Sequence, residues 1–173
     1  VINESAKTEH VIVLSNEEDI NEIQNKTNHK NIDIVECKLD DSWMRDIAPI
    51  FYNEDEKLKS ISFEFNGYGK YPDYLNDNKI SKFISSYLNI PTITSDLVIE
   101  GGAITYDDKK NLFSTKNVIF NKNRKQKHDS EYIIKKLKLL FDLNYIFLFE
   151  NGLIEDDTDC LLYTSPSPRD CLL

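Results

Sequence analysis

The sequence predicts an α/β fold made of a recurring unit, on three observations. Short runs of β-branched and aromatic residues alternate with helical periodicities. The order helix, strand, acidic loop comes round three times. The passes end at Asp46, at Glu100, and at Asp156, Asp157 and Asp159, so the intervals are 54 residues from Asp46 to Glu100 and 59 from Glu100 to Asp159. That interval is longer than the usual solenoid periods. On spacing alone an ordinary α/β domain with acidic loops fits as well. If the units pack about a common axis, their loops converge.

The elements follow in order. "HVIVL" (His10 to Leu14) reads as a buried strand. Ser15 with Glu18 has the form of a capping box opening a short helix that turns Ile20 and Ile23 inward. "IDIVEC" (Ile32 to Cys37) is the next strand and runs into "DDSWMRDIAPIF". "IAPIFY" continues as a strand whose Pro49 places it at an edge or bulge, and "NEDEK" is a turn. "LKSISFEF" alternates, with Ile61, Phe63 and Phe65 on one face. Gly67, Gly69 and Pro72 mark a tyrosine-rich loop, and "FNGYG" reads locally as a turn. A helix follows, with Ile80, Phe83, Ile84, Tyr87 and Leu88 as its inward stripe. "TIT" and "LVIE" are extended and end at Glu100-Gly101-Gly102. "AITYDDKKNLFST" is a hairpin. A second helix from about Asp129 to Phe141 turns Ile133, Ile134, Leu137, Leu140 and Phe141 inward. "YIFLFE" reads as a buried strand and "NGLIEDDTD" as an acidic loop.

The composition narrows the function. Of 173 residues, 40% are hydrophobic and 29% charged, enough for a globular core. The net charge of −9 argues against nucleic acid and anionic membranes, which need a basic footprint, and suits a cationic ligand. No apolar run reaches the roughly 20 residues that span a bilayer, and a cytoplasmic location is expected. The three cysteines form no CxxC pair, and with three histidines they offer no zinc spacing. No metal or cofactor is expected. Cys37 reads as a small buried hydrophobe, and His10, His29 and His128 read as structural or solvated.

The first residue is Val1, so further sequence is expected upstream. At the other end, "CLLYTSPSPRDCLL" (residues 160–173) breaks the Asn, Lys and Ile bias of the chain. It resembles translated adapter read-through and is expected to be a non-native tail; a native linker is the alternative. The folded domain is expected over residues 1–159.

Chemistry concentrates in the acidic loops. Converging carboxylates serve either a hard metal ion or a guanidinium, whose planar N–H fork matches a carboxylate through two charge-assisted bonds. No alternating calcium-loop pattern occurs. The single tryptophan, Trp43, lies among Asp40, Asp41 and Asp46 and would wall an organic cation through cation–π contact. The competing reading is structural: Arg45 pairs with Asp41 or Asp46, and Trp43 plugs the core.

Together, "DDSWMRDIAPIF", "FNGYGKY", "EGGAITYDDKKNLFSTKNVIFNKNR" and "GLIEDDTD" resemble motifs of the agmatine deiminase family, which includes bacterial-type peptidylarginine deiminases. The resemblance covers about residues 10–159. It implies an incomplete pentein, a pseudo-fivefold α/β propeller of ββαβ units, with about three of five present. It also implies hydrolysis of a guanidine through a covalent cysteine intermediate. On this resemblance Asp46 and Trp43 bind substrate and Glu100 supports the acid/base. The histidine of Gly-His-x-Asp and the late cysteine nucleophile have no counterpart here, and Cys160 is not that nucleophile. Agmatine is the expected substrate, with peptidyl-arginine as an alternative and a homodimer expected at full length. A non-enzymatic cation-binding or interaction module remains a third possibility.

Overall fold

A computed structural model of the chain describes residues 1–28, 30–152 and Thr158. The chain divides into two compact units, with the boundary between Ser42 and Trp43.

The first unit holds helix α1 (Ile2–Ser5), strand β1 (Val11–Ser15), helix α2 (Ile20–Lys26) and strand β2 (Ile32–Glu36). β1 and β2 pair in parallel, Val11 opposite Ile32 and Ser15 opposite Glu36. α2 supplies the crossover a parallel pair requires, and its half-buried residues are Ile20 and Ile23, as expected. The expected capping box does not form. Ser15 donates to Asn16 O at 2.9 Å, and a single helical turn (Glu17–Asp19) precedes α2. Asn16 is drawn elsewhere: its Oδ1 accepts from Leu39 N at 2.9 Å and its Nδ2 donates to Leu39 O at 3.3 Å. Cys37 is half-buried rather than buried, just past the end of β2, where its N–H donates to Ser15 O.

The second unit opens with α3 (Met44–Ile47) and contains two sheets of the same plan. In the first, β3 (Ile50–Glu54) and β4 (Lys57–Glu64) form an antiparallel hairpin, α4 (Asp77–Tyr87) crosses over, and β5 (Thr92–Val98) pairs in parallel with β4. In the second, β6 (Thr105–Tyr106) and β7 (Asn111–Thr115) form the hairpin. After the short helix α5 (Lys116–Ile119), α6 (Ser130–Leu140) crosses over and β8 (Tyr145–Phe149) pairs in parallel with β7. Each is a ββαβ unit, and β1–α2–β2 repeats its last three elements. The recurrence read from spacing is therefore a recurrence of topology.

β3 begins directly after Pro49 and lies at the sheet edge, where the proline's missing N–H costs no ladder bond. The β3–β4 turn is Asp55-Glu56, both at positive φ (50° and 61°), the backbone a two-residue hairpin favours. β4 is central and covered on both sides. Ser60 and Ser62 point one way, and Ile61 and Phe63 the other. The second sheet's unit covers the latter face, with Phe63 stacked on Phe141 at 6.1 Å.

Two expectations change here. The buried face of α4 is Asp77, Ile80, Ser81 and Ser85, while Tyr87 and Leu88 are exposed and Phe83 is half-buried. Ser85 turns inward because the sheet offers it a hydroxyl partner. Ser85 Oγ lies 2.9 Å from Ser60 Oγ and donates to Ser81 O at 3.0 Å, and Ser60 Oγ also meets Thr92 Oγ1 at 2.9 Å. β8 is not buried: it forms the sheet's other edge, and Tyr145, Phe147 and Phe149 are exposed on one face. Only Ile146 and Leu148 turn toward the half-buried side. α6 keeps its expected face, burying Ile133 and Leu137, and Asp129 caps it by accepting from Tyr132 N at 2.8 Å. No helix among the described residues is long and apolar enough to cross a membrane.

Candidate functional site: two buried carboxylates

In the second unit, α3 and the turn after β5 bring Asp46 and Glu100 together: Gly102, two residues past Glu100, donates to Asp46. Asp46 comes from α3, a single turn in which the Asp46 and Ile47 N–H groups donate to Trp43 O. It is 3% exposed. Its Oδ2 accepts from the Tyr68 hydroxyl at 2.6 Å, and its Oδ1 accepts from Gly102 N at 2.9 Å.

Glu100 ends the extended run after β5 and is fully buried. Both of its oxygens accept from Arg124 Nε, at 3.0 and 3.1 Å, and Arg124 is fully buried as well. Burial pushes the Glu100 carboxyl up from the ordinary carboxylate value; the Arg124 charge and hydrogen bond oppose this, and Asp46 adds a smaller upward push. Arg124 also donates through a terminal nitrogen to Thr158 O at 2.6 Å. It thus holds both Glu100 and the backbone near the third acidic loop.

Gly-Gly after Glu100 has a steric reason. A Cβ on Gly101 would sit 2.4 Å from Arg45 O, so only glycine lets this turn lie against α3. That approach delivers the Gly102 N–H to Asp46.

The expected site residues are placed as follows. Asp46 and Glu100 come together. Trp43 is about half exposed, at the start of α3. Of the carboxylates flanking Trp43, Asp40 and Asp41 are exposed, and Asp41 Oδ1 accepts from Ser42 N at 2.6 Å. Arg45 is exposed and makes no ion pair among the described residues, so its expected pairing within the acidic cluster is not found. Its backbone carbonyl, not its guanidinium, shapes the site. His10 pairs with Asp33 at 2.9 Å in the first unit, and His128 with Asp96 at 2.5 Å in the second. His29, the third acidic loop at 153–157 and 159, and residues 160–173 lie outside the described residues.

Tyr68 and Arg124 were missed. The signal for Arg124 was the end of "FNKNR", and for Tyr68 the glycines around it. Neither shows its partner in the local sequence: the Tyr68–Asp46 bond spans 22 residues and the Arg124–Glu100 pair 24.

With this geometry in hand, comparison with known proteins is specific. Residues 1–162 match the sequence profile of the Porphyromonas-type peptidyl-arginine deiminases. A Mycoplasma capricolum protein, whose name of agmatine deiminase is itself provisional, is 30% identical over 165 residues, covering 92% of this chain and 45% of its own length. The C. jejuni agmatine deiminase, solved as a cysteine-to-serine variant with substrate bound, overlays with a TM-score of 0.80. It is 26% identical, covering 93% of this chain and 48% of that one. The Enterococcus faecalis agmatine deiminase has a TM-score of 0.83 at 18% identity, over 92% and 46%. The chain thus spans a little under half the length of the relatives it matches. These overlays and the repeated ββαβ unit bear out the expected fold, a part of a pentein.

Proposed function

The chain belongs to the Porphyromonas-type peptidyl-arginine deiminase family, and we propose that it is the substrate-clamping part of a guanidine-hydrolysing deiminase. In this reading the whole protein converts agmatine and water to N-carbamoylputrescine and ammonia. The observation that carries the reading is Asp46: a buried carboxylate, aimed by a phenol and a peptide N–H, beside a second carboxylate that an arginine already engages. A planar guanidinium matches a carboxylate fork through paired, charge-assisted hydrogen bonds.

The proposed chemistry begins when a cysteine thiolate from outside residues 1–159 attacks the guanidinium carbon and forms an S–C bond. Ammonia leaves as a histidine, also from outside this segment, delivers the proton. The histidine then takes a proton from water, which adds to the amidino carbon; the C–S bond breaks, the thiolate is restored and a urea is released. Asp46 holds two guanidinium N–H groups throughout, Trp43 borders the substrate, and Glu100, fixed by Arg124, supports the histidine. The 173-residue chain alone turns over no substrate in this reading.

A second substrate, peptidyl-arginine, is favoured by the family's description. The test is steady-state release of ammonia by the full-length protein from agmatine and from an arginyl peptide. Faster turnover of agmatine supports the first reading and faster turnover of the peptide the second. No turnover of either, with binding of guanidines retained, would leave the cation-binding module.

A further inference from the structure

The loop between β4 and α4 is built in a way that a plain turn does not require. Gly67, Tyr68 and Gly69 all have positive φ, at 62°, 58° and 71°. For tyrosine this left-handed conformation is strained and persists only where surroundings over-determine it. They do so here. Gly69 lies against the turn at Lys122–Arg124, where a Cβ would fall 2.0 Å from Asn123 O. On the other side Asn66 Nδ2 donates to Arg124 O at 2.8 Å, and Phe65 N donates to Asn78 Oδ1 at 2.7 Å. The Tyr68 ring is 3% exposed and held edge-on by Phe65 at 5.2 Å and Tyr71 at 6.1 Å. This bracing delivers the Tyr68 hydroxyl to Asp46 Oδ2, to which it donates.

We propose that Tyr68 is a positioning residue that sets the orientation of the Asp46 carboxylate toward a guanidinium. It works with Gly102 N–H: Tyr68 holds Oδ2 and Gly102 holds Oδ1, so the plane of the carboxylate is fixed about its terminal bond. The seam that braces Tyr68 is also the backbone of Arg124, so the two carboxylates are aimed from a single scaffold. The inference rests on reading Asp46 as the guanidinium carboxylate.

Tyr68→Phe removes one oxygen and keeps the ring. In the full-length protein, KM for agmatine should rise at least tenfold, while kcat falls less than threefold, because the hydroxyl orients the binding group and not the reacting atoms. Hydrogen exchange of the Gly102 amide, measured in the same protein without substrate, should quicken at least tenfold as its acceptor gains freedom. An unchanged KM overturns the proposal whatever the exchange shows. If the wild-type protein hydrolyses neither agmatine nor an arginyl peptide, the functional reading fails, and exchange alone decides the positioning: faster in Tyr68→Phe upholds it, equal rates overturn it.

Discussion

Asp46 and Glu100 are both carboxylates, both buried and both placed in loops after strands of the repeat, yet they are satisfied in different ways. Glu100 faces a buried guanidinium within the protein. Asp46 is aimed by two neutral donors, a phenol and a peptide N–H. A neutral donor fixes direction without cancelling charge, whereas a buried arginine does both. The difference teaches that the pair divides its labour. In the proposed function Glu100 belongs to the framework and Asp46 is the carboxylate that meets the substrate's guanidinium.

The comparison predicts its own breakpoints. Arg124→Met should have the largest effect on stability, because it leaves Glu100 buried without its cation. A loss of about 3 to 5 kcal/mol is expected for breaking a buried pair from one side, read by urea unfolding. Glu100 also predicts the pH dependence of that loss. Its carboxyl is raised above the ordinary value of 4.5 in the folded state. Its contribution is therefore fully present below that value and declines as pH rises through the folded-state value. Without Arg124 the carboxyl moves further up, so the variant's penalty should be greatest near neutral pH and shrink on acidification. A penalty independent of pH would mean that Glu100 is not the group left exposed to the loss.

Gly101→Ala should come next. Its Cβ would meet Arg45 O at 2.4 Å, and the loop must shift, at a cost of about 1 to 3 kcal/mol typical of overpacking. The same shift withdraws Gly102 N–H from Asp46, so guanidine turnover by the full-length protein should fall along with stability. Asp46→Asn should reverse the balance. The isosteric amide costs only about 1 kcal/mol of stability, while kcat/KM for agmatine falls at least a hundredfold, roughly the worth of a charge-assisted pair. Equal losses for Asp46→Asn and Arg124→Met would erase the distinction between the two carboxylates.

Asp96 supplies the small end of the scale. Its hydrogen bond to His128 holds its carboxyl below the usual range. A lowered carboxylate stabilises above its unfolded value of 3.8, and that contribution fades as pH falls through the lower folded value. The group is more than a third exposed and screened by solvent, so His128→Ala should cost under about 1 kcal/mol. A larger loss would show that surface pairs rival the buried one.

Much of this was legible in the sequence. The repeat was visible because each pass carries its own periodicity, and Asp46 and Glu100 stood out beside Trp43 and before Gly101-Gly102. The partners were not, because the Asp46–Gly102 contact joins residues 56 apart, and only tertiary folding brings such pairs together. α4 was misread for a related reason. Ser85 lies outside the apolar stripe read from the sequence, and its buried partner, Ser60 on β4, comes near only in the fold. β8 was misread because a run of aromatics signals burial only if something covers both faces. Here one face, with Tyr145, Phe147 and Phe149, stays open.

The central claim is that Asp46, not Glu100, receives the guanidinium. A crystal structure of the full-length protein with agmatine, its nucleophilic cysteine replaced by serine, tests it most directly. The account predicts two agmatine N–H groups within about 3 Å of the Asp46 oxygens, with Tyr68 and Gly102 still donating and Arg124 still on Glu100. A guanidinium seated on Glu100, with Arg124 displaced, or one bound away from both carboxylates, would contradict it.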